Sequence, residues 1–351
     1  MENVRFIIKD TLPEDFKNHE KNHILILWSD RINKDNKIIS IPLELEKKGA
    51  KIRSEFLELV YKYSFRKIND KYLLDYFNIN NNNYWWSSLF IETDNVYQST
   101  EYNDILKILT LEKILSKYSS FKNLRIEIKN KKIKKILYKR YFKNSKKFND
   151  YNLLFLIKLT LHFSKGLMTF LKLVSCMVRY KKVFNSNKKN IKPNSKILFN
   201  HFSISQIKNH NFNSKYWGDL PNIINKTSDL VWLNMLHSDF KNCKLNDIND
   251  FIERNKSVSK HQHHFFIESK INSKLILKSF CEWVVLILNY LKVHSTVKLI
   301  SFNDLYLWDI FENDFYKSFL SSKAVFNILY ANLFKEVLNY IPLNSQLFIL
   351  Y

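Results

Sequence analysis

Apolar positions recur along this chain with two periods, and the two alternate. Helical spacing of three and four residues marks 40–65 and 103–118, and Asn103 or Asp104 is the predicted N-cap of the second helix. Short apolar runs typical of strands occupy 23–30, 124–130, 196–203 and 230–237. Strands that alternate with helices predict an α/β fold with a largely parallel sheet.

Beyond residue 245 the pattern becomes helical. Helices are predicted at 273–292, 303–320 and 323–341. The first of these is mostly apolar, so we expect it to be buried. A strand pattern returns at 345–351, and Asn-rich patches at 78–83 and 185–194 predict loops.

One long segment, 151–182, is apolar on nearly all sides and carries a single polar stripe. Successive members of the stripe are four and three residues apart, so they share one face of a helix. The stripe consists of Lys158, His162, Lys165, Thr169, Lys172, Cys176 and Arg179.

The net charge of +23 is concentrated around this segment. Residues 129–192 contain 19 Lys and Arg side chains but one acid, Asp150. The abundance of Lys, Asn and Ile is typical of an AT-rich genome, but codon bias acts along the whole chain and does not explain the concentration. We therefore expect this region to face an anionic partner, either a membrane surface or nucleic acid.

Four interpretations of 151–182 differ in the environment that they assign to its Lys side chains. A transmembrane span would place them in the bilayer, at about 2.5–3.5 kcal/mol for a central Lys. A helix lying in the membrane interface avoids this, because its basic residues reach the headgroups. A third interpretation, a buried core helix with one solvated stripe, is also compatible with the sequence. RNA binding is disfavoured because the segment is apolar between its lysines, so no nucleic acid is expected.

Other signals of chemistry are weak. Three cysteines lie far apart, which favours neither a metal site nor a disulfide framework. Three glycines leave little room for a Gly-rich phosphate loop, so no cofactor is expected. His261, His263 and His264 are poorly spaced for a metal, and none is predicted. No N-terminal apolar run suggests a signal peptide, so a cytoplasmic setting is expected.

Two aromatic motifs stand out, YWWSSLFIE at 84–92 and YWGDLP at 216–221. If 84–91 is a strand, Trp85 and Trp86 point to opposite sides of it. Gly218 and Pro221 predict a tight turn in the second motif.

Several stretches in order carry a resemblance to a known family. They are KGAKIRSEFLELVYKY, NNYWWSSLFIE, DILKILTLEKIL, the basic apolar segment, KILFNHFS, SKYWGDLPNII and LVWLNMLH. Together, from about residue 24 to the end, they resemble the N-terminal part of a bacterial family of glycosyltransferase-like surface carbohydrate biosynthesis proteins, linked to capsule or O-antigen assembly. The family pattern has Ser and Lys where this chain has Asn83 and Thr93.

The resemblance implies a Rossmann-like lobe of glycosyltransferase-B type. It implies sugar transfer from a nucleotide sugar donor to a lipid-linked acceptor, by a protein peripheral on the inner face of the cytoplasmic membrane. Comparable family sequence continues into a second, donor-binding lobe, which we expect to be missing here. The resulting division is an α/β part (1–150), a basic interfacial helix with its linker (151–192) and an α/β then helical continuation (193–351).

The resemblance assigns no catalytic residue, so site roles are hypotheses. Glu92 is the candidate general base for an acceptor hydroxyl; the alternative is a surface carboxylate or an ion pair with Lys107. Substrate binding is predicted for Trp85, Trp86, Tyr216 and Trp217, and membrane binding for Lys158, Lys165, Lys172 and Arg179. For the tryptophan pair, packing in the core alone is the alternative. For the whole chain, a Lys-rich RNA-binding or organellar ribosomal protein and a non-catalytic peripheral membrane scaffold stay open.

Overall fold

The chain divides into two compact units. The computed structural model describes residues 4–13, 23–32, 37–89, 101–118, 121–142, 152–184, 191–203, 206–208, 211–212, 214, 216–226, 228–236, 262–302 and 305–349. Unit 1 comprises Met1–Phe163 and Val284–Ala324, and unit 2 comprises Ser164–Trp283 and Val325–Tyr351.

Unit 1 contains a four-stranded sheet in which every pair is parallel. Its strands are β1 (Val4–Lys9), β2 (His23–Leu27), β3 (Ile38–Ser40) and β8 (Phe121–Glu127), in the order β3-β2-β1-β8. Apolar runs such as HILIL suit strands that are covered on both faces. The chain therefore moves outward from β1 to β3 and returns to pair β8 with the other side of β1.

Helices and short hairpins complete unit 1. Ser40 caps α1 with a hydroxyl that accepts a hydrogen bond from the Leu43 amide. The helices are α1 (Ile41–Ser64), α2 (Glu101–Leu115), α3 (Lys131–Tyr141) and the beginning of α4 (Asn152–Phe184). The hairpins pair β4 (Lys67–Ile68) with β5 (Lys71–Tyr72) and β6 (Asn78–Ile79) with β7 (Asn82–Asn83), around a 3₁₀ turn at Leu73–Phe77.

Unit 2 contains a second four-stranded parallel sheet. Its strands are β9 (Lys196–Phe202), β12 (Leu230–Leu236), β13 (Gln262–Phe266) and β16 (Gln346–Phe348), in the order β13-β12-β9-β16. Leu233 packs on one face with Ile267 and Val337, while Trp232 packs on the other with Trp217. Both faces of the central strand are thus covered, as in the parallel sheets of α/β proteins.

The remaining elements are divided between the two units. Strands β10 (Ile207–Lys208) and β11 (Asn211–Phe212) form one hairpin, and β14 (Ser301–Phe302) and β15 (Leu305–Tyr306) form another. The helices are α5 (Leu220–Asn225), α6 (Ser273–Val297), α7 (Trp308–Leu320) and α8 (Ser322–Leu338), and a 3₁₀ turn spans Ile267–Lys270.

The predicted α/β class with parallel sheets is confirmed, and most predicted elements lie within a few residues of the observed ones. Three local predictions are wrong. Residues 84–89 form turns rather than a strand. Helix α2 begins at Glu101, so Asp104 lies in its first turn and neither it nor Asn103 is the N-cap. Helix α6 is not fully buried, because Leu277 and Leu288 are exposed on it.

Candidate functional site

The sheet of unit 1 has a topological switch point between β1 and β8. The chain leaves β1 toward β2 on one side and returns to β8 on the other. In open α/β sheets, ligands bind in the crevice outside the carboxyl ends of the strands at such a point. A site is therefore expected among the residues that follow β1, β2 and β8.

Five side chains from four parts of the fold converge at this edge. We call them the unit 1 edge site; they are Asp10, Trp28, Asp104, Lys107 and Asn130. One Asp10 carboxylate oxygen accepts a hydrogen bond from the Lys129 amide at 2.7 Å, which joins the end of β1 to the end of β8. Asn130, the N-cap of α3, donates from its amide to Asp104 at 3.3 Å. Lys107, on the same helix as Asp104, lies 5.7 Å from the Trp28 ring centroid, within cation–π range.

Partial burial shifts the pKa values of Asp104 and Lys107, the two charged residues that α2 contributes to the unit 1 edge site. Burial raises the pKa of Asp104 above its ordinary value, although the charge of Lys107 opposes the rise. Burial also lowers the pKa of Lys107, against the opposing charges of Asp104 and Asp10. Both shifts favour neutral forms, so proton transfer at this edge needs less driving force than it does for exposed side chains. Such a pair beside a crevice is typical of functional sites.

A cavity of about 240 Å³ opens beside these groups. Its lining contains two acidic and two basic side chains, so the formal charges balance. Lys132 lies 3.6 Å from Glu101, which brings one of these pairs together. The lining residues are Glu101, Asp104, Asn130, Lys131, Lys132, Ile133 and Ile310. A balanced set of donors and acceptors suits a hydroxyl-rich ligand better than a highly charged one.

The predicted tryptophan pair is divided between core and surface. Trp85 is fully buried among aromatic rings, with centroids 5.6 Å from Phe77 and 6.1 Å from Phe315. Trp86 is 43% exposed. One side chain is thus buried and the other exposed, although the two residues lie in a turn and not in the strand on which the expected division depended. Trp86 is therefore the member of the pair that is accessible to a ligand.

The second aromatic motif shows the same division. Tyr216 is 73% exposed, whereas Trp217 is buried and donates from its indole nitrogen to the Phe199 carbonyl at 3.0 Å. Gly218 has a φ of +49°, which confirms the tight turn and explains a glycine there. This motif lies in unit 2 and the tryptophan pair in unit 1, so their common cleft stays a prediction. Glu92, the predicted base, lies outside the described residues.

Helix α4 confirms the predicted helix at 151–182, but its polar stripe is not uniformly exposed. Lys158 donates to a Glu312 carboxylate oxygen at 2.5 Å, and Thr169 is buried. Lys165 and Lys172 are exposed. The side chain of Arg179 is outside the described part. The stripe is therefore split between contacts to the protein and the surface.

A second face of α4, adjacent to the polar stripe, is apolar and exposed. Ile157, Leu161, Met168 and Leu171 follow one another at intervals of four, seven and three residues, and all four are exposed. The alternative of a core helix with one solvated stripe is thus wrong for the described residues of α4. In the part of the chain that the structure describes, no helix combines the length and the hydropathy needed to cross a bilayer.

Sequence reasoning missed most of the unit 1 edge site. Asp10 follows a strand that the apolar pattern did not identify, and Asp104 was assigned to a helix cap. The usable signal was the polar residue Asp10 directly after β1, together with Asn130 three residues after the end of β8. Among the described residues, no group of three metal-ligating side chains is present, and His263 and His264 belong to β13.

No family model, curated protein or solved structure matches this chain.

Proposed function

We propose that this chain is a glycosyltransferase-like protein of surface polysaccharide biosynthesis. It acts on a lipid-linked acceptor at the inner face of the cytoplasmic membrane, with a nucleotide sugar as donor. The observation that carries the proposal is the repeated sheet: each unit contains four parallel strands in the order third-second-first-fourth. This is the strand order with which doubly wound folds begin when they bind nucleotides.

The repeated sheet supports a two-lobed architecture of glycosyltransferase-B type. In this proposal unit 1 binds the acceptor, and the sheet of unit 2 is a candidate for the donor lobe within the chain. The link from this topology to sugar transfer is an analogy between folds, and the YWWSSLFIE and YWGDLP motifs support it independently.

The unit 1 edge site provides the chemistry in this proposal. Asp104 takes the proton from the acceptor hydroxyl, whose oxygen then bonds to the anomeric carbon of the donor sugar. The bond from that carbon to the diphosphate breaks, and the nucleoside diphosphate leaves with the electron pair. A carboxylate with a raised pKa is the stronger base for this step. The cavity of about 240 Å³ fits the reacting end of an acceptor rather than a whole nucleotide.

The exposed apolar face of α4 supports membrane attachment. Its apolar residues face away from the protein, and Lys165 and Lys172 lie four residues after Leu161 and Met168, at the border of that face. Helix α4 contains no acidic residue. An apolar face bordered by lysines fits the interface of an anionic bilayer, where an enzyme meets a lipid-linked acceptor.

Release of nucleoside diphosphate tests the enzymatic proposal. The full chain is incubated with a panel of nucleotide sugars and lipid-linked saccharides in anionic vesicles. We expect release that requires both donor and acceptor, and its loss in Asp104→Asn. Glu58→Gln, an exposed carboxylate of α1, is the matched control and should retain activity.

Two results would contradict the proposal. One is the absence of both nucleotide sugar binding and turnover by a folded chain. The other is RNA binding of high affinity that weakens steeply with salt, which indicates a nucleic-acid-binding protein.

A further inference from the structure

Helix α6 has an exposed stripe that resembles the apolar face of α4. From the sequence this helix was expected to be buried, yet four large apolar side chains on it are exposed. They are Leu277, Val285, Leu288 and Leu291. Intervals of eight, three and three residues keep them within about 120° of one another around the helix. We call these residues the α6 stripe.

The exposed charged residues of α6 are all lysines. Lys274, Lys278 and Lys292 are exposed on the same side of the helix. The single acid of α6, Glu282, is 3% exposed and accepts a hydrogen bond from the Asn332 amide at 2.7 Å. The exposed side of α6 therefore combines apolar residues with lysines and presents no acidic group.

Within each unit, α6 packs against α4 through aromatic rings. In unit 1, Phe155 stacks on His294 with centroids 4.4 Å apart. In unit 2, Phe170 contacts Phe280 and Trp283 at 5.3 and 5.4 Å. Both helices thus use aromatic residues against the protein and keep leucines and lysines at the surface.

We propose that the α6 stripe is a second contact with an anionic lipid bilayer. The inference rests on the proposed membrane association of α4 and assigns α6 to the same lipid surface. Charge complementarity selects this occupant, because lysines without acids match anionic headgroups while the leucines enter the acyl boundary. A second copy of this chain would instead bring its own lysines against the stripe, so like charges would meet.

Vesicle flotation of the full-length chain tests this proposal. The variant Leu277→Ser with Leu288→Ser should bind phosphatidylcholine–phosphatidylglycerol vesicles about tenfold more weakly than the wild type. The control variant, Leu57→Ser with Leu338→Ser, changes two leucines of similar exposure on α1 and α8. It should bind as the wild type does. Circular dichroism establishes that each variant is folded.

A charge variant gives an independent result. Lys278→Glu with Lys292→Glu should weaken binding to the anionic vesicles about tenfold or more, because each lysine near such a surface contributes on the order of 1 kcal/mol. Weak binding to pure phosphatidylcholine vesicles should change little. Equal losses on both kinds of vesicle would contradict a role for the lipid charge.

The outcomes distinguish this inference from the proposed function. If Leu161→Ser with Met168→Ser on α4 abolishes flotation while both α6 variants bind normally, α6 makes no lipid contact and the α4 proposal survives. If none of the variants changes flotation, both proposals are wrong. If the α6 leucine variant changes only the sedimentation mass, the stripe is a contact between protein chains and the inference is overturned.

Discussion

The two parallel sheets have the same strand order but different polar groups at and near their carboxyl ends. In unit 1 three of these groups, Asp10, Asp104 and Lys107, are charged and partly exposed, and Asp104 lines a cavity. In unit 2 the described ones include a ladder across three neighbouring strands, formed by the buried Asn200 and Asn234 and the half-buried His264. Asn200 donates to Asn234 at 3.2 Å, and the Asn234 amide nitrogen lies 3.1 Å from the His264 Nδ1. We call these three residues the unit 2 polar ladder.

Glu268 extends the buried polar groups of unit 2. Its Oε1 accepts from the Leu236 amide at 2.8 Å and from the Tyr330 hydroxyl at 3.1 Å. Its Oε2 has no hydrogen-bond partner among the described residues. Because both donors bond to Oε1, Oε2 can carry the proton of a neutral acid. Burial also favours the neutral acid, since it raises the pKa of Glu268 to about 7.

The comparison teaches that topology determines where polar groups collect, while burial determines what they do. Partly solvated charges beside a cavity can exchange protons with a ligand. Buried groups that bond one another stabilise a single packing arrangement and are expensive to disrupt. We therefore expect substitutions in the unit 1 edge site to change activity, and those in unit 2 to change the free energy of unfolding.

The largest effect is expected for Asp104→Asn. Removal of a general base lowers the rate of transfer by about 10²–10⁴-fold. The free energy of unfolding should change little, because the asparagine oxygen can still accept from Asn130. Nucleoside diphosphate release and chemical denaturation measure the two quantities. Loss of stability without a specific loss of rate would reverse the roles given to the two units.

The pH dependence of stability tests Glu268. Its pKa is 4.5 ordinarily and about 7 in the folded protein, so between these values the unfolded chain has lost a proton that the folded protein keeps. The free energy of unfolding should therefore fall by about 3 kcal/mol as the pH rises from 4.5 to 7, and then level off.

Glu268→Gln isolates this contribution, because its amide resembles the protonated acid in shape and donors. The denaturation curves of wild type and variant should diverge between pH 4.5 and 7 as the wild type loses stability. Glu58→Gln, exposed on α1, should follow the wild type. Parallel curves for wild type and Glu268→Gln would mean that Glu268 titrates normally.

A smaller effect is expected for Asn234→Ala in the unit 2 polar ladder. The change removes one hydrogen-bond partner of Asn200, which also bonds Gln206 and Ser214, and one neighbour of His264. The loss of a hydrogen bond of this kind costs about 0.5–1.5 kcal/mol. Asn222→Ala, exposed on α5, should change the free energy of unfolding by less than about 0.5 kcal/mol. Urea denaturation of both variants makes the comparison, and equal values would remove the structural role of the ladder.

The smallest effects concern the exposed aromatic residues. Trp86→Ala and Tyr216→Ala should leave stability within about 0.5 kcal/mol of the wild type. If each ring stacks on a sugar, each substitution should weaken saccharide binding by about 1 kcal/mol, the range of aromatic stacking. Titration calorimetry measures this. If only Trp86→Ala lowers the affinity, the saccharide binds to unit 1. If neither variant lowers it, neither ring stacks on the sugar.

The sequence by itself determined most of the local structure. The helix expected at 40–65 spans Ile41–Ser64, and the strand expected at 230–237 spans Leu230–Leu236. Apolar periodicity is a local property, and a helix or strand long enough to bury one face must show it. For the tryptophan pair, Trp85 is buried and Trp86 exposed, but the strand from which this division was expected is a turn.

Tertiary structure alone decided the site and the exposed surfaces. Asp10 and Lys129 are 119 positions apart in the chain and meet because β1 pairs with β8, which periodicity does not encode. Helix α4 presents a similar case. The sequence pattern of α4 distinguished a polar side from an apolar side. It did not show that Lys158 is partly buried, because the hydrogen-bond partner of Lys158 is Glu312, 154 positions away in the chain. Which side of a helix is buried depends on such distant neighbours, because burial is a property of the packed structure and not of the helix.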